Sequence, residues 1–367
     1  MELKFEGKIS WGDIASETNG VLRYADIIPV AREKLEKTCD QNHPEFIFPV
    51  ESKNIAKLLG VESFYFIVPI FGLSGTFKDT EAAVMIAKCL DWGIDKDLSW
   101  HSTGNTARAY REYAIKTKMK SHSYFPLSCS SKLRGATNDE QNELIAIDKP
   151  FQQISFLAKT EAKQNNFLHI APLAWKIEGK ATIAYTIYEN LPQTNVIIQT
   201  IAGGYGLLGL ELGIQRLKIL GLKNDDKYRY EAFQIEGADT FAKLLPLNRD
   251  IFETDLVLPV NPFEPTLQST NPLSTYNLVR KVIVETGSSV SSVTKSDVLN
   301  SFEFFNEECK ALNIDISFDD EKSPYISWAG LLNAKKEGRI KNSDKIAFII
   351  TGSRRRVGDM PIVNKII

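Results

Sequence analysis

The chain of 367 residues is poor in the groups that announce metal or redox chemistry. It has four cysteines, Cys39, Cys89, Cys129 and Cys309, set far apart and without a CxxC pair. That spacing excludes a zinc ribbon or a thioredoxin-type motif and fits reduced thiols. The four histidines, His43, His101, His122 and His169, are equally scattered, with no HxxH-type pair. No metal site is expected from them.

Charge of one sign is lacking as well. Lys plus Arg number 44 against 46 for Asp plus Glu, a net charge of −2. No basic field favours nucleic acid, and no acidic tail favours disorder. Long apolar runs are missing. The longest, such as Phe64–Phe71, fall far short of the roughly 20 residues that a membrane helix needs. The first residues, MELKFEGKIS, carry no apolar stretch of the signal-peptide kind. There is no internal repeat and no low-complexity tract. These absences lead to the expectation of a soluble cytoplasmic protein that acts on small molecules as a homodimer, without nucleic acid or membrane partners.

What is present is 43% hydrophobic residues, enough for a sizeable core in two domains or one large one. The apolar runs alternate with helical periods. Phe64–Phe71 leads into Thr80–Leu90, Leu98–His101 into Thr106–Thr117, and Val196–Ala202 into Leu207–Leu220. This alternation predicts an α/β fold with mostly parallel sheets. Gly221 suits the C-terminal stop of the third helix. Lys345–Ile350 reads as a last buried strand running into Thr351-Gly352-Ser353. The polar segment 116–143 is expected to be loops with one weak strand, His122–Leu127, and the proline-bearing stretch Leu244–Pro262 a loop over the site.

Four junctions between strand and helix or at a strand end carry residues with chemical use. Lys78 follows Gly75-Thr76-Phe77; taken alone, it reads as a solvated lysine at a helix start. Asn105 sits in Ser102-Thr103-Gly104-Asn105-Thr106, which alone reads as an ordinary helix cap. Gly203-Gly204-Tyr205-Gly206-Leu207 precedes a clean helical period and favours an anion site, because glycine lets backbone N–H groups approach and the helix start is positive. Thr351 alone is a strand-end threonine. A lysine, an asparagine turn and a glycine turn, in this order and each at the carboxyl end of a strand, are the parts of a pyridoxal 5′-phosphate (PLP) site. Such a site needs an amine that binds the cofactor's carbon and moves protons, which lysine supplies. The absence of GxxxxGK[ST] argues against the rival reading of a nucleotide-binding protein.

These segments resemble the fold-type II PLP enzymes, the tryptophan-synthase-β-like group, and within it threonine synthase and cysteate synthase. NGVLRYADIIPV is similar to the N-terminal segment of that group, SGTFKDTEAAVMIAKCLDWGI to its lysine motif, and STGNTARAYREYA to its asparagine loop. EGKATIAYTIYE with VIIQTIAGGYGLLG is similar to its EG-x-x-TIAYEI helix and phosphate loop, and AFIITGSRR to its terminal TG motif. The resemblance implies two three-layer α/β domains with PLP in the cleft between them. It places residues 65–160 in a smaller mobile domain and residues 1–64 with 161–367 in the larger one.

The resemblance also implies roles. Lys78 would be the Schiff-base lysine and Phe77 its neighbour under the ring. Asn105 would contact the ring oxygen. Gly203, Gly204, Tyr205, Gly206 and Leu207 would bind the phosphate, and Thr351 would face the ring nitrogen, a neutral partner suited to β-elimination and replacement. Ser102, Thr103 and Thr106 would hold the substrate carboxylate. Arg108 and Arg111, three apart on one helix face, would receive a second anion; Arg354, Arg355 and Arg356 form a weaker candidate.

Several segments depart from the threonine-synthase pattern. The lysine motif continues Asp79-Thr80-Glu81-Ala82 where DRGA is usual, Phe48-Pro49-Val50-Glu51 stands in place of GGTPL, and the TG motif reads TGSRRR rather than TGHGLKD. The loop GGYGL is nearer the dehydratase GGGGL than GNxGN. GTFKDTEA and GNTARAY look more like cysteate synthase, whose substrates are O-phosphoserine and sulfite. The expected reaction is therefore β-elimination or β-replacement on an O-phosphorylated amino acid. Threonine synthesis from O-phosphohomoserine, a serine or threonine dehydratase and a non-catalytic PLP-binding homologue are the alternatives.

Overall fold

The computed structural model describes residues 7–14, 20–39, 47–149, 151–170, 173–224, 227–256, 263–267, 272–354, 359–360 and 362–366. Its strands are β1 (Phe48–Glu51), β2 (Ser63–Val68), β3 (Leu98–His101), β4 (Ser121–Pro126), β5 (Asn142–Ile147) and β6 (Leu168–His169), followed by β7 (Val196–Thr200), β8 (Arg229–Ile235), β9 (Ser289–Val293), β10 (Lys345–Ile349) and β11 (Lys365–Ile366). They form a six-stranded sheet in the order β1-β2-β10-β7-β8-β9 and a five-stranded sheet in the order β11-β5-β4-β3-β6. Every pairing is parallel except that of the edge strand β1 with β2.

The larger sheet is the middle of three layers. In β10, Ile346 and Phe348 point to one core, which also holds Phe64, Phe66, Ile198 and the helix Ser323–Lys336. Ala347 and Ile349 point to the other, with Ile67, Ile197 and the helix Lys78–Asp91. Alternate side chains of a strand face opposite ways, so a strand apolar throughout is one covered on both faces. That is why the apolar runs read from the sequence are the central strands.

Sheet membership runs differently from the expected 65–160 division. β2 is hydrogen-bonded into the larger sheet, whereas β6 at 168–169 and β11 at 365–366 belong to the smaller one. β11 reaches β5 from the far end of the chain, a long-range pairing that no local pattern reports. The segment 116–143 contributes β4 and a 3-10 helix, Leu127–Leu133, and leads straight into β5. Within Leu244–Pro262 the described residues form two short 3-10 turns, Leu245–Leu247 and Glu253–Asp255; residues 257–262 lie outside the described residues.

Parallel pairing decides where three of the four junctions go, the fourth, after β3, belonging to the five-stranded sheet. β10 runs parallel to both β2 and β7. Their carboxyl ends therefore open on one edge of the sheet, which is where ligands bind in open α/β sheets.

Candidate active site

The turn before Lys78 is shaped by Asp79, which is almost fully buried at the start of its helix. Its carboxylate accepts the backbone N–H groups of Ser74 (2.9 Å) and Thr76 (3.2 Å). Burial pushes the Asp79 carboxyl up to about 6, and those hydrogen bonds oppose the shift. The same turn is stitched to the end of β10. Thr76 bridges Gly352, the Phe77 N–H donates to the Thr351 carbonyl (3.3 Å), and the Ser353 N–H donates to the Gly75 carbonyl (3.0 Å). Lys78 and Thr351 are thus fixed relative to each other through backbone.

A cavity of about 540 Å³ lies at this sheet edge. Phe77, Lys78, Ser102, Thr103, Asn105, Thr106, Gly203, Gly204, Tyr205, Gly206 and Thr351 all line it. Leu207 is packed behind it, buried in the first turn of the helix Tyr205–Ile219. Thr266, Leu267, Leu273 and Ser274 line it as well. None of the described residues of 244–256 contributes to the lining.

The glycine loop has the geometry its sequence suggests. Gly204 has φ +82°, and a Cβ there would stand 2.7 Å from Val279 Cγ2. A Cβ on Gly206 would collide with the Gln199 amide. The loop opens directly into the helix that begins at Tyr205, so unpaired N–H groups of the first turn face the cavity side. In the asparagine loop, Ser102 Oγ accepts the N–H groups of Gly104 (3.0 Å) and Ala107 (2.8 Å), the capping role read for it alone. Thr103 donates to the Thr266 carbonyl (2.9 Å), and the Asn105 amide donates to Glu321 Oε2 (2.7 Å).

Arg108 and Arg111 do not reach the cavity. Both are almost completely buried. Arg108 donates to the Arg134 carbonyl (3.0 Å). Arg111 binds the carbonyls of Asn142 (2.6 Å), Thr137 and Asp139 (3.2 Å). They hold the segment between the Leu127–Leu133 turn and β5, so the structure does not bring them to the place where a second anion was expected. Their helix is buried almost all round, and a shared face three residues apart pointed the guanidinium groups at protein rather than at the cleft. Arg354 pairs with Asp315 (2.9 Å) at the surface, and Arg355 and Arg356 lie outside the described residues.

Electrostatics centre on Lys78. Burial, then the nearby Lys176 cation, lowers its amine from the usual 10.5 to about 8. Glu81 Oε2 lies 3.7 Å away. Glu81 is itself bound by Lys180 and by the Tyr110 hydroxyl. Farther along the wall, Lys176 stands 5.4 Å over the Tyr205 ring, and Lys159, Ser155, Phe151 and His101 complete that end. Burial lowers Lys176 to about 8, and Lys159 adds to the shift. His101 Nδ1 meets His169 Nε2 at 3.2 Å, and His169 Nδ1 meets Ser99 at 3.0 Å. Burial and Lys176 hold His101 down to about 3 and His169 to about 4, so both are neutral at neutral pH. None of Glu81, His101, Lys159, Lys176, Lys180, Gln199 or Glu321 was singled out from the sequence. The only trace was the departure at Glu81 from the glycine of the usual motif.

The residues present fit PLP on two observations. The Thr351 hydroxyl and Gln199 Oε1, both buried and at the cavity wall, have no hydrogen-bond partner among the described residues. Buried polar atoms are normally paired, so these two await a polar ligand. The glycine cradle at a helix start leaves room that a Cβ would fill. A lysine, a glycine cradle and a neutral hydroxyl at the edge between two parallel sheets define a fold-type II PLP-dependent enzyme. Sequence comparison agrees. The chain belongs to the family described as "Pyridoxal-phosphate dependent enzyme", whose pattern matches residues 48–316, and its cofactor is PLP.

Solved structures share this fold. Maize serine racemase superposes with a TM-score of 0.68 at 20% identity, covering 85% of this chain and 90% of that one. The processed form of threonine deaminase isoform 2 from Solanum lycopersicum gives 0.68 at 15% identity over 87% and 86% of the two chains. A fungal L-serine ammonia-lyase from Rhizomucor miehei gives 0.66 at 15% identity over 84% and 94%. No curated protein sequence matches the chain. Among the described residues no helix is long and apolar enough to cross a membrane, and no cluster of metal-binding side chains occurs.

Proposed function

We propose that this enzyme carries out β-elimination or β-replacement on an amino acid whose leaving group is anionic, with an O-phosphorylated amino acid such as O-phosphoserine as substrate and a small nucleophile such as sulfite as co-substrate. The carrying observation is the charge of the cavity wall. Lys159 and Lys176 face it beside neutral His101, and its lone lining carboxylate, Glu81, is already bound by Lys180 and Tyr110. A wall whose two lysines have no carboxylate partner among the described residues, and whose carboxylate is already bound, selects an anion.

In this reading Lys78 holds PLP, the Gly203–Leu207 backbone takes its phosphate, Asn105 and Thr351 meet its ring, and Phe77 shields it from water. Bound PLP supplies an electron sink for the carbanion formed at the substrate's Cα. Lys78 Nζ accepts the Cα proton, for which a neutral amine is required. The N–H groups and hydroxyls of Ser102–Thr106 orient the substrate carboxylate. Lys176 and Lys159 stabilise the departing anion through charge-assisted hydrogen bonds.

The test is phosphate release from O-phosphoserine and O-phosphohomoserine, compared with ammonia release from serine, with and without sulfite. O-phosphoserine should react at least about tenfold faster than serine, and Lys176→Gln should remove most of that preference, as the loss of one charged hydrogen bond of about 1.5–3 kcal/mol implies. Equal turnover of serine and O-phosphoserine would replace this reading with a dehydratase, for which GGYGL is the favouring feature. Preference for O-phosphohomoserine would make it a threonine synthase. Turnover of none of them would leave a PLP-binding homologue.

A further inference from the structure

Beside Lys78 stands a second buried lysine to which cofactor binding gives no task. Lys180 is completely buried on the helix Leu173–Asn190. Gly179 brings it there, because this helix crosses the lysine helix so closely that a Cβ at 179 would run into the Thr80 carbonyl. Lys180 Nζ contacts Glu81 Oε2 and donates to the Lys176 carbonyl (3.1 Å). Both Lys180 and Lys78 approach the Glu81 carboxylate, which brings the two amines into one electrostatic environment. Lys78 Nζ approaches the same Glu81 oxygen at 3.7 Å, while the Tyr110 hydroxyl occupies the other oxygen.

One buried carboxylate therefore faces two amines. Two ammonium groups on this carboxylate would leave a positive charge uncompensated beside the fully buried Lys180, and burial of such a charge is strongly disfavoured. The remaining groups that face Lys78 do not change this balance. Glu321 keeps its negative charge under hydrogen bonds from Asn105 and Ser323, Lys176 is a further cation that offsets it, and Tyr205 is a phenol. Burial lowers both amines, so they do not both stay charged; Lys180 makes much the closer contact with Glu81, and this contact holds the remaining proton on Lys180. Glu81 departs from the glycine of the usual motif, and a glycine there would leave Lys180 buried without this carboxylate.

We propose that Lys78 and Lys180 hold one proton between them over the Glu81 carboxylate, which makes Lys180 the positioning residue that keeps the Lys78 amine free to react. The inference rests on Lys78 being the cofactor lysine and is independent of the substrate. While the proton rests on Lys180, Lys78 Nζ has a lone pair available to attack a carbonyl carbon or to accept a proton from a substrate carbon. The pair is a coupled titration, so its protons leave in two steps that belong to both amines.

The experiment is competitive acetylation of the full-length protein, freed of cofactor by hydroxylamine and dialysis, across a range of pH, with the Lys78 peptide quantified by mass spectrometry. In the wild type the Lys78 amine should become reactive with a midpoint at about 8. Lys180→Met should raise that midpoint by about one pH unit or more, because Glu81 is then left to Lys78 alone. Glu81→Gln should lower it. Lys180→Arg, which keeps a permanent cation on Glu81, should hold it at or below the wild-type value, and this variant serves if Lys180→Met fails to fold. A purely structural Lys180 would change the melting temperature of these variants and leave the midpoint in place. A midpoint unmoved in Glu81→Gln, or lowered in Lys180→Met, or raised in Lys180→Arg, overturns the proposal. The readout needs no bound PLP, so its failure is separate from any failure of Lys78 to carry the cofactor.

Discussion

The backbone N–H of Phe77 donates to the carbonyl of Thr351 across 3.3 Å, joining the lysine turn to the end of β10. The two residues come from opposite ends of the chain, yet the bridge between Thr76 and Gly352 fixes their spacing as rigidly as within one strand pair. If Lys78 and Thr351 meet the cofactor as proposed, this backbone link would hold the two residues in place for it. The fixed spacing also makes Thr351 a clean place to separate ligand binding from stability.

Thr351→Val removes a buried hydroxyl that has no partner among the described residues. An unpaired buried polar group costs stability, so the unfolding free energy should be equal to or higher than that of wild type in denaturant titrations. PLP affinity, measured by fluorescence or absorbance titration, should fall about fivefold, the loss of one hydrogen bond of about 1 kcal/mol. A destabilised protein with unchanged cofactor affinity would contradict the role given to this residue.

Gly204→Val should lose cofactor in the same titration. The residue sits at φ +82°, where a β-branched side chain is strained by roughly 1–2 kcal/mol, and its Cβ would also press on Val279. Affinity for PLP should drop at least about tenfold. Wild-type affinity in a folded variant would give the loop another role.

Arg111→Met should act on stability. The guanidinium serves three backbone carbonyls in a buried setting, and leaving buried acceptors unpaired costs about 1–3 kcal/mol each. A loss of about 3 kcal/mol or more is expected in chemical denaturation. Substrate preference, measured as the ratio of O-phosphoserine to serine turnover, should not change. A variant of full stability with an altered ratio would put Arg111 back among substrate ligands.

The capture of added PLP by cofactor-free protein should follow the Lys78 amine. With its value lowered to about 8, the neutral fraction near pH 7.5 is about a quarter, against about a thousandth for an ordinary lysine. The second-order rate of capture should rise through pH about 8 and level off above it. A rate still climbing in proportion to hydroxide at pH about 10 would mean an unshifted lysine.

Much of this site could be read from the sequence because each part sits at a strand end. The runs Leu98–His101 and Val196–Ala202 give parallel strands of the two sheets, covered on both faces, and the turns after them line one cavity. The residues that set the charge of the cavity were not legible in the same way. Lys180 and Lys176 look like surface lysines of an amphipathic helix, and only the close crossing at Gly179 carries Lys180 to Glu81. Arg108 and Arg111 misled for the converse reason: spacing gives a shared helix face but not what that face meets, and here it meets the carbonyls of a folded-back loop. β11 was invisible because its few residues gain strand character only from pairing with β5.

The central claim is that Lys78 carries PLP. Borohydride reduction of the purified holoenzyme, followed by peptide mapping, tests it directly. The account predicts a yellow protein whose visible band is lost on reduction and a single phosphopyridoxyl label on the peptide that contains Lys78. A label on Lys176 or Lys180 instead, or a protein that stays colourless and unlabelled after reconstitution with PLP, would contradict it.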